Sequence, residues 1–71
     1  MPTINVDMLT GRSVEQKRAL VRELTDAFVR TCGNRPENVY VVIREVPTEN
    51  WAAGGQLISD RDGETAPSKP A

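Results

Sequence analysis

Residues 2–28 read PTINVDMLTGRSVEQKRALVRELTDAF, and a change of rhythm inside this stretch decides the fold. From Thr3 to Met8 the chain alternates. Ile4, Val6 and Met8 point to one side, and Thr3, Asn5 and Asp7 to the other. A period of two predicts a strand over 3–8 with one apolar face. Leu9-Thr10-Gly11-Arg12 is the exit loop. Ser13 with Gln16 three residues later is a capping-box pattern, which makes Val14 the first helical residue. Leu20, Val21, Leu24, Ala27, Phe28 and Thr31 then recur at spacings of three and four. They form one apolar stripe on a helix of about five turns. Lys17, Arg18, Arg22, Glu23, Asp26 and Arg30 fill much of the other face. Gly33, with Asn34 and Pro36 behind it, is the stop.

VYVVIREV at 39–46 predicts a second strand. Val39, Val41 and Ile43 share one face; Tyr40, Val42 and Arg44 share the other. Apolar residues on both faces near its start imply that both are covered there. Pro47 donates no ladder hydrogen bond and ends the strand. NWAAGGQLI at 50–58 reads as a short β-hairpin around Gly54-Gly55. From Ser59 the chain turns polar, so 2–59 is one domain and 60–71 a polar C-terminal tail, disordered or laid on a neighbour. The class is α/β, a small β-α-β protomer. Its crossover is long enough to be right-handed, which makes the strands parallel. Two strands and one helix cannot close a core. One sheet face and both edges stay open, and the sheet is expected to be completed by oligomerisation.

Size and composition lead to the same expectation. A chain of 71 residues supports one small core that usually needs a staple or a partner. A single cysteine, Cys32, forms no intrachain disulfide, and without histidine one thiol cannot build a structural zinc site. Cys32 itself reads as a small buried residue, with no base in view to make it a nucleophile. Nine basic residues against ten acidic give a formal net charge of −1, which offers no general attraction for nucleic acid or an anionic membrane. No apolar run approaches the roughly 20 residues of a membrane span, and MPTINVDML lacks the basic start and apolar stretch of a signal peptide. A soluble, cytoplasmic protein is the expectation. Phe28, Tyr40 and Trp51 are the only aromatics, too few for a base-stacking platform.

Pro2 is the residue with chemistry to offer. A proline at position two permits removal of the initiator methionine, which exposes a secondary amine at the start of a strand. An ordinary α-amino group titrates near ~8. An apolar pocket or a nearby cation disfavours the ammonium and lowers that value, toward the ~7 suited to proton abstraction at neutral pH. Taken alone, proline at this position is common and Arg12 reads better as a solvated loop arginine.

Together, Pro2, the short alternating strand, Gly11-Arg12-Ser13 and Glu15-Gln16-Lys17 resemble the opening of the 4-oxalocrotonate tautomerase family. The resemblance continues through the second strand, Val46-Pro47, Asn50-Trp51 and Gly54-Gly55, and covers residues 2–58. It implies a β-α-β protomer assembled as a homohexamer, a trimer of dimers. It also implies an isomerase without cofactor or metal, acting on small carboxylates such as 2-hydroxymuconate and related 2-oxo acids. By the same resemblance Pro2 is the catalytic proline and Arg12 binds the substrate carboxylate and draws electron density toward it. Trp51 stands where an aromatic walls the pocket. Tyr40 departs from the pattern: the family's best-known members carry a second arginine there, and a phenol cannot supply that charge. It remains able to donate a hydrogen bond to a carbonyl or enolate oxygen, or to pack at a subunit contact. Arg35 and Arg44 are the substitutes available in the sequence, although Arg44 reads better as part of an ion pair between subunits.

Two other functions stay open. Relatives with the same proline hydrate or dehalogenate 3-haloacrylates, using an acid shortly after the pocket aromatic and an extra arginine in the first loop. Here Ala52 and Ala53 follow Trp51, and Leu9-Thr10 precede Gly11-Arg12. A non-catalytic oligomeric scaffold is the remaining possibility. Retention of Met1 would favour it, because an amide nitrogen at Pro2 is not basic.

Overall fold

A computed structural model describes residues 1–65 of the chain, with side-chain surroundings described through Arg61. The alternating stretch forms strand β1, Thr3–Leu9, and the periodic stretch forms helix α1, Val14–Cys32. Strand β2 spans Tyr40–Val46, beginning one residue later than the sequence pattern suggests. Strands β3, Ala52–Ala53, and β4, Gln56–Leu57, make the hairpin, and helix α2 spans Ile58–Thr65. The architecture is therefore β-α-β with parallel β1 and β2 and a short C-terminal antiparallel hairpin.

Each boundary has a local cause. Ser13 Oγ accepts from the Gln16 N–H at 3.1 Å, and Gln16 Oε1 accepts from the Ser13 N–H at 2.9 Å. This reciprocal pair satisfies two of the donors that a helix start leaves open. At the other end Gly33 takes a positive φ of 82°, and its N–H closes on Val29 O at 3.1 Å. The chain then makes a 3-10 turn over Pro36–Asn38, with proline at its start where no N–H is needed. β2 stops at Val46, one residue before Pro47. A second 3-10 turn, Thr48–Asn50, leads to Trp51. In the hairpin Ala52 pairs with Leu57 and Ala53 with Gln56. The two residues between them, Gly54 and Gly55, both have positive φ, 62° and 82°, as a type I′ turn demands.

Two compact units share these elements: Met1–Val6 with Arg12–Arg44, and Asp7–Gly11 with the residues from Glu45 onward. In the first, Ile4, Val6, Val41 and Ile43 are half-buried on one row of the strands, as are Leu20, Val21, Leu24, Ala27 and Phe28 of α1. Val39 is the one fully buried apolar residue among those described. The opposite row is open, with Tyr40 50 % and Val42 41 % exposed. Burial on both faces at the start of β2 is thus not reached within one chain. In the second unit the Ile58 N–H donates to Trp51 O at 2.7 Å, which fixes the start of α2 to the end of the second 3-10 turn.

Three expectations need correction. Residues 60–65 of the expected tail are helical, in α2; the rest of that tail lies outside the described residues. The sequence ISDRDGET hides this helix because it has no apolar stripe and contains Gly63, a weak helix former. Its start is set by the bond to Trp51, and Asp60 in its first turn suits the helix dipole. Thr31 is exposed rather than part of the apolar stripe, its hydroxyl donating back to Ala27 O at 2.7 Å. Cys32 is exposed rather than buried, because it ends α1 beside the cap. Among the described residues no helix is long and apolar enough to cross a membrane.

Candidate active site

Pro2 immediately precedes β1 and is half-buried, while Met1 before it is 78 % exposed. Its carbonyl accepts the Tyr40 N–H at 3.0 Å. The first residue of β2 is thereby fastened to Pro2, and the two sequence-distant candidates become neighbours through a ladder bond. The bond uses the carbonyl of Pro2 and leaves its nitrogen outside the ladder. Tyr40 presents half of its side chain to solvent.

Arg12 is elsewhere. It lies between the end of β1 and the Ser13 cap, is exposed, and has no hydrogen-bond or ion-pair partner among the described residues. At the Arg12 end the Thr10 N–H donates to Val46 O at 3.1 Å, closing the pairing of β1 and β2 there. Between Pro2 and Arg12 runs the full length of β1, seven residues. At about 3.3 Å per residue that is on the order of 20 Å, well beyond an arginine side chain. Pro2 and Arg12 thus flank the two ends of β1 in the sequence.

Trp51 is half-buried after the Thr48–Asn50 turn, with its N–H on Thr48 O at 3.4 Å and its carbonyl taken by Ile58. Ala52 and Ala53, which follow it, are exposed in β3.

The two spare arginines are both engaged. Arg35 is joined to Glu37 through Nε at 3.1 Å and a terminal nitrogen at 2.9 Å. Asn34 Oδ1 holds the Arg35 N–H at 2.8 Å. Arg44 is exposed on β2 and has an interaction of its own. Sequence reasoning left Arg35 available as a cation. The signal against it was the Arg35-Pro36-Glu37 spacing, which brings a carboxylate back toward the guanidinium across a proline-initiated turn.

Residues 2–61 match a family described as "Tautomerase enzyme". The chain belongs to the tautomerase family. A probable tautomerase of Halalkalibacterium halodurans is 43% identical over 61 residues, covering 86% of this chain and 100% of the relative. A probable tautomerase of Staphylococcus epidermidis is 46% identical over 61 residues with the same coverage of both chains. Among solved structures, the 4-oxalocrotonate tautomerase isozymes from Methylibium petroleiphilum are similar with a TM-score of 0.87 at 39% identity. That match covers 90% of this chain and 100% of theirs. TomN, a 4-oxalocrotonate tautomerase homologue of the tomaymycin biosynthetic pathway, matches with a TM-score of 0.85 at 39% identity, over 87% of this chain and 95% of its own. This tautomerase is accordingly an isomerase, and its neighbours in structure are 4-oxalocrotonate tautomerase homologues.

Proposed function

We propose that this tautomerase interconverts the enol and keto forms of an unsaturated 2-hydroxy acid, with the free amine of Pro2, after removal of Met1, as the proton carrier. The amine takes the proton of the 2-hydroxyl and returns a proton to a carbon of the conjugated chain, giving the 2-oxo acid. No other atom is exchanged, so the chemistry needs no cofactor or metal. The observation that carries the reading is the setting of Pro2. Its ring is half-buried and its carbonyl is held by Tyr40, which fixes the residue while its nitrogen stays outside the ladder.

Arg12 holds the carboxylate through a bidentate guanidinium contact, and it comes from a second copy of the chain. The strand length supports this, since β1 keeps Pro2 and Arg12 of one copy on the order of 20 Å apart. Trp51 forms an apolar wall and Tyr40 stands beside the proline. A single fully buried residue among those described and an open strand face favour an oligomer, and a homohexamer is the assembly we propose. The hydrolytic alternative lacks a water-activating acid where it would be needed: residues 52–57 after Trp51 are AAGGQL, and Glu49 precedes the tryptophan.

The test uses the loss of ultraviolet absorbance as a conjugated 2-hydroxy acid ketonises. Protein whose mass shows loss of Met1 is compared with protein that retains it. Turnover confined to the first form is expected. Equal rates in both forms would refute proline catalysis.

A further inference from the structure

Arg12 is exposed and has no hydrogen-bond or ion-pair partner among the described residues, so its placement depends on the backbone to either side of it. Before it stands Gly11, at φ 130° with nothing within 4 Å of where a Cβ would lie, the most permissive residue a chain can offer. After it stands Ser13, whose polar groups are all bonded. The Ser13 carbonyl accepts the Lys17 N–H at 3.1 Å, its hydroxyl accepts the Gln16 N–H at 3.1 Å, and its own N–H donates to Gln16 Oε1 at 2.9 Å. The last of these bonds reaches past Ser13. A peptide unit is planar, and the plane that carries the Ser13 N–H also carries the Cα and carbonyl of Arg12. Holding that N–H holds the Arg12 peptide and leaves the guanidinium only its own side-chain torsions.

The two bonds between Ser13 and Gln16 have separable consequences. One uses the backbone N–H of residue 16 and caps α1; any residue but proline supplies it. The other uses the Gln16 side chain and acts on the peptide plane in front of the helix. Given the carboxylate role proposed for Arg12, on which this rests, we infer that Gln16 is a positioning residue: its side-chain carbonyl sets the direction from which Arg12 meets the substrate. A guanidinium pairs with a carboxylate as a planar fork, so the pairing depends on the plane of approach as well as on charge. With the Ser13 N–H released, Arg12 spreads over more orientations and fewer of them present the fork.

The experiment compares wild type, Gln16→Ala, Gln16→Glu and Arg12→Ala, all with Met1 removed, on 2-hydroxymuconate. Gln16→Ala keeps the N–H that caps α1 and installs the best helix former, so a Tm close to the wild-type value is expected by circular dichroism. KM is expected to rise about fivefold, the size of one neutral hydrogen bond. The turnover number is expected to stay within about twofold, because the binding lost is shared by ground and transition states. Gln16→Glu keeps an acceptor in the same place and is expected to return KM to near the wild-type value. Titration calorimetry of hexanedioate repeats the comparison without turnover. An affinity unmoved by Gln16→Ala, an equal loss in Gln16→Glu, or a fall in Tm that parallels the loss would overturn the inference. Arg12→Ala separates it from the reading beneath. If Gln16→Ala is neutral while Arg12→Ala abolishes turnover and binding, only the positioning role falls. If Arg12→Ala matches the wild type, the carboxylate role of Arg12 falls and takes the positioning role with it.

Discussion

Mixing two variants, each expected to be inactive alone, tests the proposed division of the site between copies. One variant is Pro2→Ala, which removes the secondary amine; the other is Arg12→Ala. Strand β1 sets the magnitude. Its seven residues, Thr3–Leu9, separate the two positions by on the order of 20 Å, and the proposed site therefore takes Pro2 from one chain and Arg12 from another. In a one-to-one mixture refolded together, a given site draws an intact Pro2 half of the time and an intact Arg12 half of the time. About one quarter of the sites are then whole if assembly is random and symmetric. The assay is the ultraviolet rate per mole of chain, compared with wild-type protein carried through the same unfolding and refolding. Native mass spectrometry shows that mixed oligomers have formed. Recovery of about a quarter of the wild-type rate, above the mean of the two parents, is expected. No recovery in demonstrably mixed oligomers would refute the division, because sites closed within one chain cannot be mended by mixing.

Two further outcomes concern the scaffold. Ser13→Ala removes the hydroxyl that caps α1 and is expected to cost about 1 kcal/mol, a fall in Tm of about 4–8 °C for a chain of this size; scanning calorimetry at one fixed protein concentration measures it, and an unchanged Tm would mean the capping box contributes nothing in solution. Gly55→Ala places a side chain at φ 82° with nothing within 4 Å of the new Cβ, so only backbone strain of about 1–2 kcal/mol is expected. Urea denaturation reads that loss, and one well above about 3 kcal/mol would mean that the turn packs tightly against another surface.

The main elements were legible because each is written in local chemistry. The period-two run, the Ser13–Gln16 box, Gly33, Pro47 and Gly54-Gly55 name the boundaries of β1, α1, β2 and the hairpin within a residue or so. Helix α2 was illegible because ISDRDGET carries no periodic apolar signal, and its beginning depends on a bond to Trp51 that a sequence scan does not contain. The site was legible in part. Pro2, Arg12, Tyr40 and Trp51 could be singled out, but not their arrangement. That Tyr40 is the ladder partner of Pro2 depends on strand register. That Arg12 stands at the far end of β1 depends on strand length, which the sequence states but which acquires meaning only once Pro2 and Arg12 are asked to touch one small molecule. The pairing of Arg35 was not read for a local reason: its partner, Glu37, lies two residues away across a proline turn.

The position of Pro2 immediately before β1, taken with the role proposed for it, has a consequence for the gene. A polypeptide has one amino terminus, so on the proposed mechanism each separate chain offers at most one free proline amine, once Met1 is removed. Two copies joined head to tail by duplication would keep one proton carrier and bury the other as an amide inside the linker. The second half would then be released from that chemistry, free to keep only its arginine and its wall, or to acquire another use. Short separate chains are therefore the economical way to make many identical sites, and fusion of such genes is a route by which one sequence could divide into an acting half and a supporting half.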